Sequence, residues 1–536
     1  MKIFLKVLVA AALTTASTSC SSFLDINDNP NSPTAVAPNA ILAQALSVTA
    51  ANYTGNNPSY NSYGSWAAGY WGKSGVVNGY TEERTYNYST LYYQGLWSNT
   101  YDNLNDYNLI QQQADAYPNH AAIARIMKVF NFQLLVDEYG DIPYTEALQA
   151  AGNTLPKYDN AATIYRDFIV QLDGAIADIN TAAAAADALA VGSEDIVFSG
   201  DMTKWKQFAN SLKLRVLLRE SQTNDAALNT YVATQMATLQ NAPDGFITTD
   251  VVAQPGYNQN TSQQNPFYNR YGFTAAGTGA TERLYQIPTN YIIAQYVSNN
   301  DPRITQLYTV GARTTGTDPN TVTTPGYIGT DLGERSPPSF VAPVVASRFL
   351  PNGTFLKGPN APTVLMLLAN HLFSKAEAET RGLFTGNNTA AKTDYLNGIK
   401  ASFLFTYRTA TTPVIALADA TASTPGSSAY DTYIAANTAN PLVNYDLAPS
   451  AGTLGKQSVI IYQQYLASNT VASIEAWCAY RRTAQPKLPA SLESTSPRPD
   501  KLATRLLYPQ TEVSTNQANI PTGITQFTKI FWDVVD

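Results

Sequence analysis

The chain has 536 residues, a formal net charge of −7, two cysteines and two histidines. This mild negative charge excludes nucleic acid and electrostatic docking on anionic lipid as principal interactions. With only Cys20 and Cys478 available, we expect no intrachain disulfide. Cys478 lies inside the apolar stretch "SIEAWCAY" and should pack as a small hydrophobic residue. His120 and His371 lack metal-ligand spacing such as HExxH, so we expect ordinary helix-surface or core histidines and neither a metal nor a cofactor.

The N-terminus reads as an export signal. Lys2 and Lys6 precede and interrupt an apolar run that ends at Leu13, which is shorter than the roughly 20 residues needed to span a bilayer. Small polar residues follow, which predicts a cleaved signal peptide over 1–19, with a buried N-terminal helix as the alternative. The ending "LTTASTSC" resembles a bacterial lipoprotein signal with Cys20 as the lipid-carrying residue, except that Ser17 stands where leucine is usual.

Most of the remaining chain has the apolar periodicity of helices. In the stretch that begins at Asn160, apolar residues recur every three or four positions, at Ile164, Phe168, Leu172, Ile176 and Ile179. The same pattern predicts helix pairs at roughly 100–222, 362–405 and 456–482, with Gly382 as a helix stop. Two segments rich in Thr, Asn, Gly and Pro separate them, at roughly 224–360 and 411–455, and a loop-rich segment at roughly 53–97 precedes them; loops of that length are usually functional. The chain is therefore predicted to be mostly α, as a helical-repeat-like scaffold of helix pairs with elaborated loops.

Seven stretches along the chain, taken together and in this order, resemble the SusD/RagB family. They are "DEYGDIPYTEAL" (137–148), "DMTKWKQFANSLKLRVLLRE" (201–220), "NNDPRI" (299–304), "AEAETRG" (376–382), "YLNGIKASF" (395–403), "EAWCAYRRTAQPKLP" (475–489) and "RLLYPQTEVSTNQAN" (505–519). The resemblance covers most of the chain after the signal and is closest to the SusD-like branch.

Read from their residues alone, these stretches are mostly structural. Gly140 is free to adopt the positive φ of a helix stop. Arg215 and Arg219 share one helix face, and a later helix presents Arg481 and Arg482. We expect these four arginines to form buried or interface ion pairs, with an anion or carboxylate clamp as the alternative.

The resemblance implies a fold and a function. It implies one SusD-like domain over 20–536, mostly α, with tetratricopeptide-like helix pairs packed against a loop-rich irregular part. It further implies a lipoprotein, anchored through Cys20 on the outer surface of a Bacteroidetes-type outer membrane. Such proteins cap a SusC-like TonB-dependent transporter as its lid and capture nutrients, typically oligosaccharides, without catalysis.

The ligand-contacting residues must be sought by composition, because the binding residues of this family do not lie in its shared stretches. Residues 53–108 hold 11 of the 34 tyrosines and 3 of the 6 tryptophans. Aromatic rings beside neutral amides suit a sugar, whose C–H face stacks on a ring while its hydroxyls need donors and acceptors. The predicted contacts lie in two segments and are Trp66, Tyr70, Trp71 and Tyr80 in the first, and Tyr257, Tyr268, Arg270 and Tyr271 in the second.

Packing of these rings between helices and loops is the alternative to ligand contact. For Trp97, Tyr101 and Tyr107, which have helical spacing, packing is the favoured interpretation.

Three other functions stay open. A peptide-binding lipoprotein of a peptide importer would have the same fold and similar loops. A lid that never contacts cargo is another possibility. A secreted glycoside hydrolase would need two facing carboxylates, for which the sequence offers Asp137, Glu138, Asp141 and Glu146.

Overall fold

A computed structural model describes residues 36–317, 321–385, 387–449, 455–497 and 501–533. The predicted signal peptide and Cys20 lie outside these residues. Within them the chain forms seventeen α-helices. They are α1 Pro38–Thr54, α2 Tyr60–Ala67, α3 Thr81–Thr85, α4 Gly95–Gln111, α5 Pro118–Tyr139, α6 Ala161–Ala184, α7 Met202–Glu220, α8 Ala226–Leu239, α9 Pro266–Tyr271, α10 Asn290–Ser298, α11 Ile304–Leu307, α12 Leu368–Thr380, α13 Asn388–Tyr407, α14 Ser427–Ala436, α15 Gln457–Ser468, α16 Ser473–Thr483 and α17 Gln510–Thr515.

Strands are few and short. Within the described ranges they form three small sheets, ordered β1-β3, β2-β8 and β5-β4-β7-β6, in which every strand pair is antiparallel. The strands are β1 Trp71–Lys73, β2 Val251–Ala253, β3 Gln286–Pro288, β4 Gly311–Thr315, β5 Val322–Gly326, β6 Phe340–Val341, β7 Val344–Val345 and β8 Thr363–Met366. The predicted mostly α fold is confirmed.

Helix pairs build the scaffold as predicted. α4, α5, α6 and α7 pack in succession, and α12 packs on α13 and α15. α6 begins where the Asn160 side chain accepts hydrogen bonds from the amides of Ala162 and Thr163, and it buries four residues of the predicted apolar stripe, with Ile176 partly exposed. α5 ends at Gly140 with φ of 75°, and Gly382 follows α12 with φ of 71°, so both predicted helix stops are present.

The segments predicted to be irregular contain more helix than their composition indicates: α2 and α3 lie in 53–97, α8 to α11 in 224–360, and α14 in 411–455. α2 shows the reason, because its polar side chains find partners inside the fold. Asn61 donates to the Thr470 carbonyl at 2.7 Å, and Ser65 donates to the Ser473 hydroxyl at 2.8 Å. Gly64 lets α16 approach so closely that a Cβ there would lie 2.5 Å from the Ile474 amide nitrogen.

Ion pairs in the core join the shared stretches. Arg481 lies 2.7 Å from Glu138, Arg219 lies 2.9 Å from Asp137, and Glu475 accepts from Arg219 at 3.0 Å. All five side chains are buried. Each guanidinium thus has a carboxylate partner within the chain, as expected of a structural pair.

The remaining pair of arginines follows the same rule. Arg215 lies 3.2 Å from Glu475, and Arg482 donates to Glu377 at 2.6 Å. The prediction that the arginines of the shared stretches form buried ion pairs is confirmed, and the clamp alternative is wrong.

The isolated cysteine and histidine also behave as predicted. Cys478 is buried in α16, and burial raises the pKa of its thiol to about 12. His120 is buried in α5, with Nε2 2.9 Å from Glu194 Oε1.

The helically spaced rings of α4 pack as predicted. Trp97 lies 5.0 Å from the ring centroid of Tyr139, Tyr101 donates to the Pro143 carbonyl at 2.6 Å, and the Tyr107 hydroxyl lies 2.8 Å from that of Thr49. Across the part of the chain that the structure describes, no helix is both long and apolar enough to cross a membrane.

Candidate functional site

The two segments predicted to bind ligand meet in one aromatic cluster. Trp71, in β1, lies 5.2 Å from the ring centroid of Tyr271 and 6.4 Å from that of Phe267, both in α9. Trp66 lies 6.4 Å from Trp71 and 4.5 Å from Tyr80. The fold therefore brings together aromatic side chains that are far apart in the sequence.

Part of this cluster is core. Tyr70, Trp71 and Tyr271 have exposed fractions of 0%, 1% and 1%. Tyr70 donates to the Tyr465 carbonyl at 2.6 Å, and Trp71 Nε1 donates to the Thr470 hydroxyl at 2.9 Å. The prediction of direct ligand contact is therefore corrected for these three residues and for Trp66, which is 4% exposed, because rings enclosed by other side chains present no surface to a ligand.

Tyr80 forms the partly exposed side of the aromatic cluster. It is partly exposed, it precedes α3 with φ of 64°, and its ring lies against the buried Trp66 with an angle of 32° between the planes. Burial, together with nearby Tyr271 and Glu282, raises the pKa of the Tyr80 phenol. The phenol is therefore neutral at physiological pH and both donates and accepts hydrogen bonds.

A charged pair lies beside this ring. Arg270 Nε and Nη2 donate to Glu282 Oε2 at 2.9 and 2.8 Å, and the side chains of Arg270 and Glu282 are 16% and 21% exposed. The guanidinium also lies 4.8 Å from the ring centroid of Tyr271 and donates to the Asn56 carbonyl. The amide of the exposed Asn57 lies 3.5 Å from Glu282 Oε1. We call the surface formed by Tyr80, Arg270, Glu282 and Asn57 the Tyr80 platform.

The Tyr80 platform has the chemistry to bind an uncharged polar ligand. Its partly exposed ring offers a flat apolar face, while the phenol, guanidinium, carboxylate and amide offer donors and acceptors around it. A pyranose fits this combination, since its C–H face stacks on aromatic rings and its hydroxyls need both kinds of partner.

The last two predicted residues lie on the other side of α9. Tyr268 lines a cavity of about 60 Å³, and the Tyr257 hydroxyl accepts from Thr363 at 3.2 Å at its wall. Lys357, on the same wall, donates to the Phe405 carbonyl at 2.8 Å, and burial lowers the pKa of its ammonium to about 7.

Sequence reasoning missed two members of the Tyr80 platform. Asn57 stands in the run "NNPSY", ahead of the predicted contacts, and Glu282 stands beyond the second predicted segment. Asn57 shares only the amide-rich composition of its segment, and Glu282 has no local signal. Glu282 joins the site only because α9 directs Arg270 toward it.

Comparison with known proteins identifies the family. A family model described as starch-binding and associating with the outer membrane matches residues 30–509. The chain belongs to the SusD-like family. Members of this family are associated with the outer membrane. Among curated proteins, none matches this SusD-like chain.

Solved structures share the fold of this SusD-like protein at low sequence identity. A chitin-binding protein matches with a TM-score of 0.68 and 24% identity over 93% of this chain and 100% of its own. A chitin-binding SusD homologue from Flavobacterium johnsoniae matches with a TM-score of 0.66 and 20% identity over 92% and 98%. A SusD homologue from Bacteroides uniformis matches with a TM-score of 0.66 and 23% identity over 92% and 99%.

Proposed function

We propose that this SusD-like protein binds an oligosaccharide at the outer membrane on the Tyr80 platform and does not cleave it. The observation that carries the proposal is the partly exposed Tyr80 ring beside the half-buried pair of Arg270 and Glu282. The starch-binding description of the family and the chitin-binding structural neighbours support a glycan as the ligand class.

Delivery is part of the same proposal. The family resemblance supports a SusC-like TonB-dependent transporter as partner, with this protein as its lid. It also supports a lipid anchor on Cys20 that holds the protein on the exterior face. Replacing Cys20 with alanine is expected to leave the protein in the soluble fraction of lysed cells. A Cys20→Ala protein that still sediments with the outer membrane would contradict the anchor.

The carboxylates of the first shared stretch support binding without hydrolysis. Asp137 and Glu138 are buried against arginines. Asp141 accepts from the Ala161 amide at 2.8 Å, and Glu146 accepts from the Lys157 amide at 3.0 Å. Each is engaged in holding the fold, whereas a glycosidase needs two carboxylates flanking the scissile bond.

Calorimetric titration with chitin and malto-oligosaccharides tests the site. Tyr80→Ala removes the stacking surface and is expected to weaken glycan binding about tenfold, or ~1.4 kcal/mol. Tyr231→Ala is the matched control, because Tyr231 is a partly buried tyrosine on α8 that lies against Arg166. We expect glycan affinity in this control to equal that of the wild type.

The other outcomes separate the alternatives. Equal glycan affinity in Tyr80→Ala and the wild type would remove the site assignment. Binding to peptides with no response to any glycan would favour a peptide-binding lipoprotein. New reducing ends in the glycan after incubation with purified protein would overturn the non-catalytic assignment.

A further inference from the structure

A larger cavity lies away from the Tyr80 platform, between α12, α13 and two loops. Its volume is about 580 Å³, within the roughly 300–1,000 Å³ typical of small-molecule sites. Apolar side chains form much of its wall: Phe246, Ile247, Leu368, Leu372 and Leu417. It shares no lining residue with the platform or with the cavity beside Tyr268.

His371 is the first polar feature of this cavity. Its side chain is 4% exposed, and neither ring nitrogen has a hydrogen-bond partner among the described residues. Burial, with Lys375 and Arg215 nearby, lowers the pKa of the imidazole to about 3, so the ring is neutral and offers one donor and one acceptor. Buried polar atoms are nearly always paired in native proteins, so an unpartnered imidazole in a cavity wall indicates a missing partner.

Positive charge is the second polar feature. Lys375 and Lys400 both line the cavity, and Lys375 pairs with Asp394 at 2.9 Å. Within the described ranges, Lys400 forms neither an ion pair nor a side-chain hydrogen bond. Asn397, one helical turn before Lys400 on α13, adds an amide to the same wall. The cavity thus has one cation whose counter-charge is not supplied by the described chain.

The apolar wall continues past the cavity. A second space of about 220 Å³ adjoins it, since Leu368 and Leu417 line both. Leu404, Pro413 and Ile415 extend this lining, and the ion pair of Arg408 and Asp250 lies in the same wall. An elongated apolar body would therefore find room beyond a polar end placed at His371 and Lys400.

We propose that this cavity binds a small organic anion with an apolar body, such as a medium-chain carboxylate. The carboxylate accepts hydrogen bonds from the Lys400 ammonium and from one His371 nitrogen. The apolar chain lies against Phe246, Leu368 and Leu417. This site is independent of the glycan platform, and its occupant is a different class of molecule.

Calorimetric titration with decanoate tests whether the Lys400 ammonium contributes to binding. Lys400→Met keeps the apolar stem and removes the ammonium, and it is expected to weaken decanoate binding about tenfold, as for a charge-assisted hydrogen bond. Lys392→Met is the matched control, because Lys392 lies on the same helix and pairs with Asp446 at 2.6 Å outside the cavity. Decanol should bind more weakly than decanoate to the wild type and equally to wild type and Lys400→Met.

Two further variants test the location. His371→Leu is expected to weaken decanoate by about tenfold, through loss of a hydrogen bond to a charged group. Leu417→Trp fills the apolar part and should abolish binding of both decanoate and decanol. Glycan binding and thermal unfolding measured on the same variants establish that each is folded.

Three results would overturn the proposal. They are no binding of decanoate to the wild type up to its solubility limit, decanol binding as tightly as decanoate, and equal decanoate affinity in Lys400→Met and the wild type.

Discussion

Two guanidinium–carboxylate pairs of similar length have different roles in this protein. Arg481 lies 2.7 Å from Glu138 and Arg270 lies 2.8 Å from Glu282. The side chains of the first pair are 1% and 0% exposed, and those of the second are 16% and 21% exposed. The same chemical pair is closed to solvent in the helix-pair scaffold and open to it on the Tyr80 platform. Burial, rather than residue type, therefore distinguishes an ion pair that only stabilises the fold from one that a ligand can reach.

The buried pair is closed to a ligand, because its side chains are 1% and 0% exposed. Arg481 Nη1 also donates to the carbonyls of Asp137 and Thr504, at 2.6 and 2.9 Å. Its guanidinium lies 4.9 Å from the ring centroid of Trp532. By contrast, Asn57 and Glu282 reach solvent at the platform, so a ligand hydroxyl has partners available there.

The largest effect is expected in the buried pair. Arg481→Met leaves Glu138 without its cation in the core, which should lower the free energy of unfolding by about 3–5 kcal/mol. Chemical denaturation of the purified protein measures it. A loss below about 1 kcal/mol would mean that the buried pair behaves like a surface pair.

The aromatic cluster offers the next test, because its two tryptophans and Tyr80 divide between core and surface. Trp71→Ala empties a site enclosed by Phe267, Tyr271 and Phe349 and should cost about 3 kcal/mol of unfolding free energy. Tyr80→Ala should cost less than about 1 kcal/mol, since its ring is partly exposed. Thermal and chemical unfolding of both variants check the order. Equal losses would show that Tyr80 is as much a core residue as Trp71.

A pH effect is expected at Glu220, the buried carboxylate that ends α7. Neither of its oxygens has a hydrogen-bond partner among the described residues, and burial raises its pKa from 4.5 to about 8, with Arg166 opposing the rise. The folded protein therefore binds this proton more tightly than the unfolded chain. The contribution to stability is full below pH 4.5 and is lost as the pH rises through about 8.

Glu220→Gln should remove this pH dependence. It is expected to raise the free energy of unfolding by roughly 2 kcal/mol at alkaline pH, with little change in acid. Urea denaturation at about pH 5 and about pH 9 compares the variant with the wild type. A parallel pH profile in both proteins would contradict the assignment.

The smallest effect is expected in an exposed pair. Arg335 is 87% exposed and pairs with Glu493 at 3.1 Å. Arg335→Ala should change the free energy of unfolding by less than about 0.5 kcal/mol, because solvent screens such a pair. Comparing this loss with that of Arg481→Met shows how much an exposed guanidinium contributes to the free energy of unfolding relative to a buried one. A loss above about 2 kcal/mol would break the proposed distinction.

The limits of sequence reasoning are clearest in α2. Its residues "YNSYGSWA" mix aromatic rings with Asn, Ser and Gly, a composition that predicts a sugar-binding loop. In the structure it is a buried helix whose Ser59 and Ser62 form a capping box, and Gly64 allows contact with α16. Asn and Ser side chains can hydrogen-bond to the hydroxyls of a ligand, but they can equally hydrogen-bond to other groups of the protein. Which of the two occurs in α2 depends on α16, a helix near the other end of the chain.

The sequence by itself determined the helix pairs and the stops at Gly140 and Gly382, and it favoured a structural role for the arginines in the shared stretches. These follow from local periodicity and from the need of buried charges for partners. Only the tertiary structure decided which aromatic side chains are open. Trp71 and Tyr80 belong to one short stretch of uniform composition, yet α9 covers Trp71 and leaves Tyr80 partly exposed. Exposure is set by the element that packs on a side chain, and that element comes from a distant part of the chain.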